Sequence, residues 1–312
     1  MNVLIPEFMD APAVERLKKS HTVIYDPNLV DDMPRLLEMA RSCDAIIVRN
    51  RTQVRGELLS ALERCLVVGR LGVGLDNIDM EECKRRDISV FPAYGANANS
   101  VAEYVIASAM FLLRGCYTST ADVAAGNWPR TALSQGRELA GRTLGLAGFG
   151  SIGQLTARLG KALGMQVIAY DPVVKAGDIA YTEGGVKAVS LDELVATADV
   201  LSLHMPLVDA TRNLFDQARI ASMKQGAILV NTARGGIVDE AAVAAALRSG
   251  HLSGAAIDVF AEEPLKASAH FIGCPNLILT PHVGGLTVES NERVSGLVAG
   301  KVLEALAELA PA

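Results

Sequence analysis

Three glycines and one acid form the first group of residues whose types and spacing predict chemistry. Gly148, Gly150 and Gly153 follow the apolar run 144–147, and a helical pattern begins directly after them. Glycine lets the backbone approach a pyrophosphate closely, and the free N–H groups at a helix start attract its negative charge. Asp171 stands at the end of the next apolar run, where a carboxylate binds ribose hydroxyls and repels a 2′-phosphate. The flanking strand, helix and acid therefore predict an NAD site rather than a glycine-rich turn without a ligand.

A second group of polar residues could bind an acid and transfer a proton. Arg234, Glu263 and His282 each come soon after the end of a predicted strand. In open α/β sheets, ligands bind beyond the carboxyl ends of the strands, so these side chains should lie near the dinucleotide. Arginine can hold a carboxylate through two hydrogen bonds, and histidine can accept or release a hydroxyl proton. An isolated His282 could be structural, but the three together supply what hydride transfer at a hydroxyl-bearing carbon requires.

Strand and helix patterns alternate along the whole chain and must position these residues. The predicted strands are residues 3–6, 22–25, 45–49, 66–71, 89–92, 144–147, 166–170, 200–203, 227–231, 255–259 and 277–279. The predicted helices are residues 13–19, 34–41, 57–64, 80–86, 100–114, 152–163, 240–248 and 287–309. Strands separated by helices of this length form parallel βαβ units. We therefore predict an α/β fold, and the length of 312 residues favours two domains.

The composition argues against several classes of protein. Half of the residues are apolar, and the net charge of −6 gives no general affinity for nucleic acid or an anionic membrane. The longest apolar run, residues 105–113, is far shorter than the roughly twenty residues that cross a bilayer. The N-terminus has no basic segment and is typical of a first strand, not of a signal peptide. Five cysteines with no CxxC spacing and no clustering with histidines favour reduced thiols in the cytoplasm and predict no metal site.

Several longer motifs carry a specific resemblance to a known family. They are residues 69–79, 99–104, 145–153, 231–240, 258–264 and 280–285. In these motifs, which occur in order over nearly the whole length, the chain resembles the D-isomer-specific 2-hydroxyacid dehydrogenases, in the branch that contains 3-phosphoglycerate dehydrogenase. The resemblance implies two doubly wound parallel-sheet domains, Rossmann- or flavodoxin-like, with the active site in the cleft between them. It implies a discontinuous substrate-binding domain, residues 1–98 and 286–312, and an NAD-binding Rossmann domain, residues 99–285.

The resemblance also implies roles for individual residues. Arg234 matches the arginine that holds the substrate carboxylate, His282 matches the base that takes the hydroxyl proton, and Glu263 matches the acid that orients this base. Formate dehydrogenases carry glutamine in place of the glutamate, so Glu263 favours a hydroxy acid over formate. Asp258 matches a residue that lies against the nicotinamide carboxamide. The predicted cofactor contacts are Gly148, Gly150, Ser151, Ile152, Gly153, Asp171, His204, Pro206, Thr232, Ala233, Arg234, Asp258, His282 and Gly284, and the predicted substrate contacts are Arg49, Arg51, Gly72, Val73, Gly74, Arg234 and His282.

Arg49 and Arg51 bear on the identity of the substrate. They lie at the end of a predicted strand, in a segment that resembles the substrate-facing arginine segment of phosphoglycerate-type enzymes. A guanidinium there could hold a second anionic group at carbon 3, such as a phosphate or sulfonate, or it could simply be solvated. The first interpretation predicts an NAD-dependent dehydrogenase of a D-series acid such as 3-sulfolactate or 3-phosphoglycerate.

The resemblance leaves two other functions open and implies a partner. A general glyoxylate or hydroxypyruvate reductase would not need the charge of Arg49. An NAD-sensing, corepressor-like binding protein would bind NADH and a peptide without good turnover, although the intact catalytic set argues against this role. Related proteins form dimers, so we expect a homodimer whose interface includes the long helix from Ser100 and residues 115–140.

Overall fold

Two parallel sheets, one in each of two units, organise the chain. The computed structural model describes residues 1–175, 177–267 and 270–309. Unit 1 comprises Met1–Asn97 together with the C-terminal residues from Leu286, and unit 2 comprises Ala98–Gly285. Every strand pairing among the described residues is parallel. The prediction of two α/β domains with parallel sheets is confirmed.

The strands and helices follow the predicted alternation closely. The strands are β1 (Asn2–Ile5), β2 (Thr22–Tyr25), β3 (Ala45–Val48), β4 (Val67–Arg70), β5 (Ser89–Pro92), β6 (Thr143–Ala147), β7 (Gln166–Tyr170), β8 (Lys187–Ala188), β9 (Val200–Leu203), β10 (Ala227–Asn231), β11 (Leu252–Ile257) and β12 (Leu277–Leu279). The helices are α1 (Ala11–Lys18), α2 (Met33–Ala40), α3 (Gly56–Ala61), α4 (Met80–Arg85), α5 (Ala98–Arg114), α6 (Thr120–Ala124), α7 (Ser151–Ala162), α8 (Ile179–Gly184), α9 (Leu191–Thr197), α10 (Gln217–Ala221), α11 (Glu240–Arg248) and α12 (Val288–Glu308).

The sheet of unit 1 has the order β2-β1-β3-β4-β5 and is covered on both faces. Successive side chains of a strand point to opposite faces, so Val3 and Ile47 pack towards α1 and α12. Leu4 and Ile46 pack on the other face with residues of α2 and α3. The C-terminal helix lies against β4 so closely that a Cβ at Gly69 would lie 2.7 Å from Val298. Helix α12 is therefore part of the core of unit 1.

The sheet of unit 2 has the order β12-β11-β10-β9-β6-β7-β8. Helices α5 and α7 contribute to the core on one face, and residues of α9, α10 and α11 to the core on the other. The strand order reverses at β6, which pairs with β7 on one side and with β9 on the other. In an open α/β sheet, such a switch point opens a crevice at the carboxyl ends of the strands. All the functional residues predicted for unit 2 follow strands that end at this edge.

The structure differs from the predicted element bounds in instructive places. Strand β11 spans residues 252–257 instead of the predicted 255–259, because the chain leaves the sheet at Asp258, which binds another loop. Helix α3 ends at Ala61 instead of reaching residue 64. The short elements α6, α8, α9, α10 and β8, of two to seven residues each, were not predicted from the sequence.

The described residues contain neither a membrane-spanning helix nor a cluster of metal ligands. No helix there combines the length and the apolar character that crossing a membrane requires. No group of three or more histidine, cysteine or acidic side chains there is arranged to hold a metal ion. The five cysteines are free thiols, and Cys43, Cys65 and Cys83 are buried.

Candidate active site

Three predicted catalytic side chains meet at the carboxyl edge of the unit 2 sheet. Arg234 follows β10, Glu263 follows β11 and His282 follows β12. The loops that carry Arg234 and Glu263 touch, since a Cβ at Gly235 would lie 1.7 Å from the carbonyl oxygen of Phe260. Nδ1 of His282 lies 2.7 Å from Oε2 of Glu263. The structure therefore brings together the residues that the sequence places nearly fifty positions apart.

Glu263 is held in its ionised form. Burial alone would raise the pKa of Glu263, but hydrogen bonds from His282 and from the N–H of Phe260, with the nearby charge of Arg234, hold this pKa below its ordinary value of 4.5. An ionised carboxylate only accepts hydrogen bonds, so Nδ1 of His282 carries the proton in this contact. In the neutral ring the other nitrogen, Nε2, is then an acceptor, and among the described residues it has no hydrogen-bond partner. This tautomer is the one that a base requires.

Asp258 anchors the loop that carries His282. Its backbone oxygen accepts the N–H of His282 at 2.8 Å, Oδ1 accepts that of Val283 at 2.8 Å, and Oδ2 accepts that of Gly284 at 2.8 Å. A Cβ at Gly284 would lie 2.9 Å from Oδ2, so glycine permits this approach. Asp258 is only 2% exposed. The acid predicted to face the nicotinamide thus binds, with both carboxylate oxygens, the loop that carries the predicted base His282.

The glycine turn after β6 has the shape that a pyrophosphate site requires. Gly148 has a φ of 102°, and a Cβ there would lie 2.7 Å from the carbonyl group of His204. A Cβ at Gly153 would lie 2.4 Å from the backbone oxygen of Gly148. At Gly150 a Cβ would meet no atom of the described residues within 4 Å. The protein's own packing therefore requires the first and third glycines, while the second leaves open space at the start of α7.

Asp171 joins the end of β7 to this turn. Its Oδ2 accepts the N–H of Phe149 at 2.7 Å, and its Oδ1 accepts those of Val173 and Val174 at 2.8 and 3.0 Å. A carboxylate offers about four acceptor sites, so three backbone bonds leave capacity for a ribose hydroxyl. Asp171 thus stands where the sequence predicts the ribose of NAD.

Two buried polar atoms at this edge have no partner within the described residues. They are Nε2 of His204, after β9, and Oγ1 of Thr232, after β10. Burial lowers the pKa of His204 to about 4, so its ring is neutral near pH 7. An unsatisfied buried polar atom destabilises a fold, and a polar ligand in the crevice would supply the missing partners. The remaining predicted contacts also lie at this edge: Ser151 and Ile152 open α7, Pro206 follows β9, and Ala233 follows β10. The residues present fit a dinucleotide.

In unit 1, two side chains hold the loop after β3 that carries the predicted substrate residues. The buried carboxylate of Glu7 accepts the backbone N–H groups of Arg49, Arg51 and Thr52 at 2.9, 3.2 and 3.0 Å. The amide of Asn77 donates to the backbone oxygens of Arg49 and Thr52, both at 2.7 Å. The loop is therefore fixed by its backbone, which leaves its side chains available for other contacts.

The two arginines of this loop have different environments. The guanidinium of Arg49 donates to Oδ1 of Asn291 at 2.9 Å and lies over the ring of Phe8. That of Arg51 forms an ion pair with Asp31. The predicted contacts Gly72, Val73 and Gly74 form the loop after the neighbouring strand β4, where Leu71 donates its N–H to the backbone oxygen of Val48. The structure therefore gives the guanidinium of Arg49 a neutral hydrogen-bond partner and that of Arg51 an anionic one.

Comparison with known proteins identifies the family. Residues 106–284 match the NAD binding domain of the D-isomer specific 2-hydroxyacid dehydrogenases. An (S)-sulfolactate dehydrogenase of Chromohalobacter salexigens is 52% identical over 305 residues, which is 98% of each chain. The chain belongs to the D-isomer-specific 2-hydroxyacid dehydrogenase family.

Two further relatives bear on the activity of this family member. A D-3-phosphoglycerate dehydrogenase of Mycobacterium leprae is 41% identical over 276 residues, which is 88% of this chain and 52% of the relative, so the chain spans about half of that enzyme. A D-lactate dehydrogenase of Aquifex aeolicus, solved with NAD and lactic acid, has a TM-score of 0.83 and 30% identity, covering 99% of this chain and 97% of that one. The chain is an NAD-dependent 2-hydroxyacid oxidoreductase, which confirms the activity class and the cofactor predicted from its motifs.

Four residues of this dehydrogenase were not assigned a role from the sequence. Glu7 and Asn77 hold the loop of Arg49, and Tyr104 and Thr280 contact each other beside Asp258. The position of Glu7, an acid shortly after an apolar strand, could have indicated a functional role. Tyr104 and Thr280 lie in motifs of the family resemblance, but their spacing predicts no contact.

Proposed function

We propose that this dehydrogenase acts on a D-series 2-hydroxy acid that carries a second anionic group at carbon 3, with a sulfonate as the preferred group and a phosphate as the alternative. The main support for this substrate is the guanidinium of Arg49, whose hydrogen-bond partners are neutral. The contact between Glu263 and His282 supports the proton transfer. The name of the (S)-sulfolactate dehydrogenase to which the chain is similar supports a sulfonate.

The proposed mechanism assigns one task to each of three side chains. The glycine turn after β6, together with Asp171, would hold NAD, which would supply the acceptor for the hydride of carbon 2 and, when reduced, the donor to the 2-oxo acid. Arg234 binds the substrate carboxylate through its planar fork of donors. Nε2 of His282 takes the hydroxyl proton as the carbonyl forms and gives it back in the reverse reaction. The ionised carboxylate of Glu263 stabilises the positive ring that results.

The guanidinium of Arg49 has the properties of an anion receptor. Burial lowers the pKa of Arg49 from its ordinary value, with the charge of Glu7 opposing, but such a group stays protonated near neutral pH. Its side-chain hydrogen bonds go to the neutral oxygens of Asn291 and Phe8. In the part of the chain that the structure describes, no carboxylate lies within ion-pair distance of it. A partly desolvated cation with neutral partners gains much from an anionic ligand.

Helix α12 fixes the position of this guanidinium. Asn291, which holds it, lies in the first turns of this helix, after the N-cap residue Thr287. The carboxylate of Glu289 already lies at this helix end, where hydrogen bonds from its own backbone N–H and from Thr287 lower its pKa. The attraction for an anionic ligand therefore comes from Arg49 itself.

A panel of 2-oxo acids tests the proposed substrate class. NADH consumption would be followed with 3-sulfopyruvate, 3-phosphohydroxypyruvate, glyoxylate, hydroxypyruvate and pyruvate. We expect a doubly anionic acid to have the highest kcat/KM. Arg49→Gln should lower that kcat/KM about 10- to 100-fold and should change the kcat/KM for pyruvate little. Arg51→Gln should have a smaller effect, because Arg51 is paired with Asp31. Equal kcat/KM for singly and doubly charged acids would contradict the proposed substrate class and favour a general reductase.

We also propose that the enzyme is a cytoplasmic homodimer. Exposed apolar side chains of α5 and of the segment that follows it, Met110, Val123 and Trp128, support a protein interface there. The free thiols support a reducing compartment. Fractionation of the source cells, with a periplasmic marker as control, would test the location.

A further inference from the structure

Tyr104 of α5 makes a hydrogen bond that the proposed chemistry does not use. Its hydroxyl lies 2.6 Å from Oγ1 of Thr280. The hydroxyl of Thr280 in turn donates to Oδ1 of Asp258 at 2.6 Å. A threonine hydroxyl has one proton, and Asp258 receives it, so the phenol of Tyr104 must be the donor to Thr280. The three groups form a chain of hydrogen bonds with one possible direction.

The phenol is suited to be a permanent donor. Burial raises the pKa of Tyr104 above its ordinary value of 10, and the charge of Asp258 adds to this effect, although hydrogen bonds with Thr280 and Ser108 oppose it. The phenol therefore keeps its proton throughout the neutral range. While it donates to Oγ1, the proton of Thr280 remains directed at Asp258.

The chain of hydrogen bonds ends at the loop of His282. The same Oδ1 that receives the hydroxyl of Thr280 also accepts the N–H of Val283. His282 itself has a φ of 57°, a left-handed conformation that a residue with a side chain rarely adopts and that surrounding contacts must maintain. A shift of Asp258 would therefore move the backbone that places the ring against Glu263.

We propose that Tyr104 is a positioning residue for proton transfer: by fixing Thr280 and Asp258 it holds the loop in which His282 meets Glu263. The inference rests on the proposed role of His282 and adds a residue to it. The competing explanation is that Tyr104 only fills space, in which case its ring suffices and its hydroxyl has no effect.

Substitutions that remove single hydroxyl groups separate these explanations. Tyr104→Phe removes the donor but keeps the ring, and Thr280→Val removes the intermediate hydroxyl at nearly constant volume. Thr280→Ser restores that hydroxyl. Tyr181→Phe is the matched control, because Tyr181 is a buried tyrosine of the same unit that packs on Phe149 instead of on this loop.

Steady-state kinetics should show a loss in turnover but not in cofactor binding. We expect Tyr104→Phe to lower kcat about three- to tenfold with little change in the KM for NADH, and Thr280→Val to lower it at least as much. Thr280→Ser and Tyr181→Phe should stay near the wild-type kcat. The double variant Tyr104→Phe with Thr280→Val should be no slower than Thr280→Val alone, because both changes break the same chain of bonds.

Amide hydrogen exchange on the ligand-free protein supplies a readout that does not depend on activity. In Tyr104→Phe, the amides of His282, Val283 and Gly284 should exchange faster, while those of strand β10 keep their wild-type rates. A general loss of stability would instead accelerate both groups.

His282→Ala, measured in parallel, separates the failure of this inference from the failure of the proposed mechanism. If His282→Ala is inactive while Tyr104→Phe has wild-type kcat and wild-type exchange, Tyr104 only fills space and the positioning role is wrong. If His282→Ala keeps its activity, the proton-transfer assignment itself is wrong, and the role of Tyr104 is lost with it.

Discussion

At the scale of single residues, the contact between Glu263 and His282 carries the proposed chemistry. The two side chains are only partly exposed, and each fixes the other through the 2.7 Å contact. Asp258, which is predicted to face the nicotinamide, binds the backbone of the same loop with its carboxylate oxygens. Orientation of the base and placement of its loop are thus divided between two acids.

This division predicts unequal effects of two substitutions. His282→Gln should lower kcat about 100- to 10,000-fold, since it removes the group that exchanges the proton. Glu263→Gln should lower it less, about 10- to 100-fold, because the base remains but loses its ionised partner. NADH titration by fluorescence is the control for correct folding and should give affinities close to wild type. Near-normal turnover of His282→Gln would exclude this residue as the base.

His204 predicts a pH dependence of stability. Its pKa falls from an ordinary 6.5 to about 4 in the folded chain because the ring is buried. Between these values the unfolded chain binds a proton that the folded chain does not, so the free energy of unfolding decreases as the pH falls from about 6.5 to about 4. We expect His204 to contribute about 1–3 kcal/mol to this decrease.

Urea unfolding of the wild type and of His204→Gln at about pH 7 and about pH 4.5 measures this contribution. The variant should lose less stability on acidification than the wild type. Parallel losses in the two proteins would show that the folded chain does not hold this ring neutral.

At the scale of elements, we expect two glycines of the turn between β6 and α7 to be needed for different reasons, one for packing within the protein and one for binding a ligand. Gly153 is required by the protein itself, since a Cβ there would lie 2.4 Å from the backbone oxygen of Gly148. Gly150 has a φ of −74°, which any residue can adopt, and no atom of the described residues lies within 4 Å of a Cβ built there. The open space at Gly150 therefore supports the prediction that a ligand approaches the start of the helix.

A matched pair of substitutions tests this difference. Gly153→Ala should lower the free energy of unfolding by about 1–3 kcal/mol, because backbone atoms must shift. Gly150→Ala should keep wild-type stability but weaken NADH binding, because its methyl group occupies the space of the pyrophosphate. Thermal unfolding and NADH titration of both variants give the comparison. Unchanged NADH affinity in Gly150→Ala would place the pyrophosphate elsewhere.

At the scale of the whole molecule, the exposed apolar side chains around α6 support the proposed interface with a second copy of the chain. Trp128 is 77% exposed, and Val123 and Met110 are 45% and 40% exposed. A tryptophan loses much unfavourable contact with water when an interface covers it, and such residues often dominate binding energy.

Light scattering tests the proposed homodimer. The wild type should have twice the chain mass of 32.9 kDa. Trp128→Glu should shift the mass towards that of the monomer, because a buried unpaired charge opposes association. Surface substitution Lys187→Gln, in unit 2 on the strand β8, is the control and should remain dimeric. A wild-type protein that is monomeric at all concentrations would contradict the proposal.

The amino-acid sequence by itself determined the alternation of strands and helices, the parallel sheets, the dinucleotide turn and the three residues beyond the ends of β10, β11 and β12. These features can be predicted because they depend on the local spacing of apolar residues and on short sequence motifs, which the chain shares with its family. The sequence also predicted substrate contacts for Arg49 and Arg51 and a nicotinamide contact for Asp258. It did not predict which residues of the chain these three side chains contact.

Only the tertiary structure decided how those partners are arranged. Arg51 forms an ion pair with Asp31, whereas Arg49 donates a hydrogen bond to Asn291. Tyr104 is connected through Thr280 to Asp258, which binds the loop of His282. Tyr104 and Thr280 are 176 positions apart, and Arg49 and Asn291 are 242 apart. No local period relates residues at such separations, because their contact depends on how whole helices and strands pack.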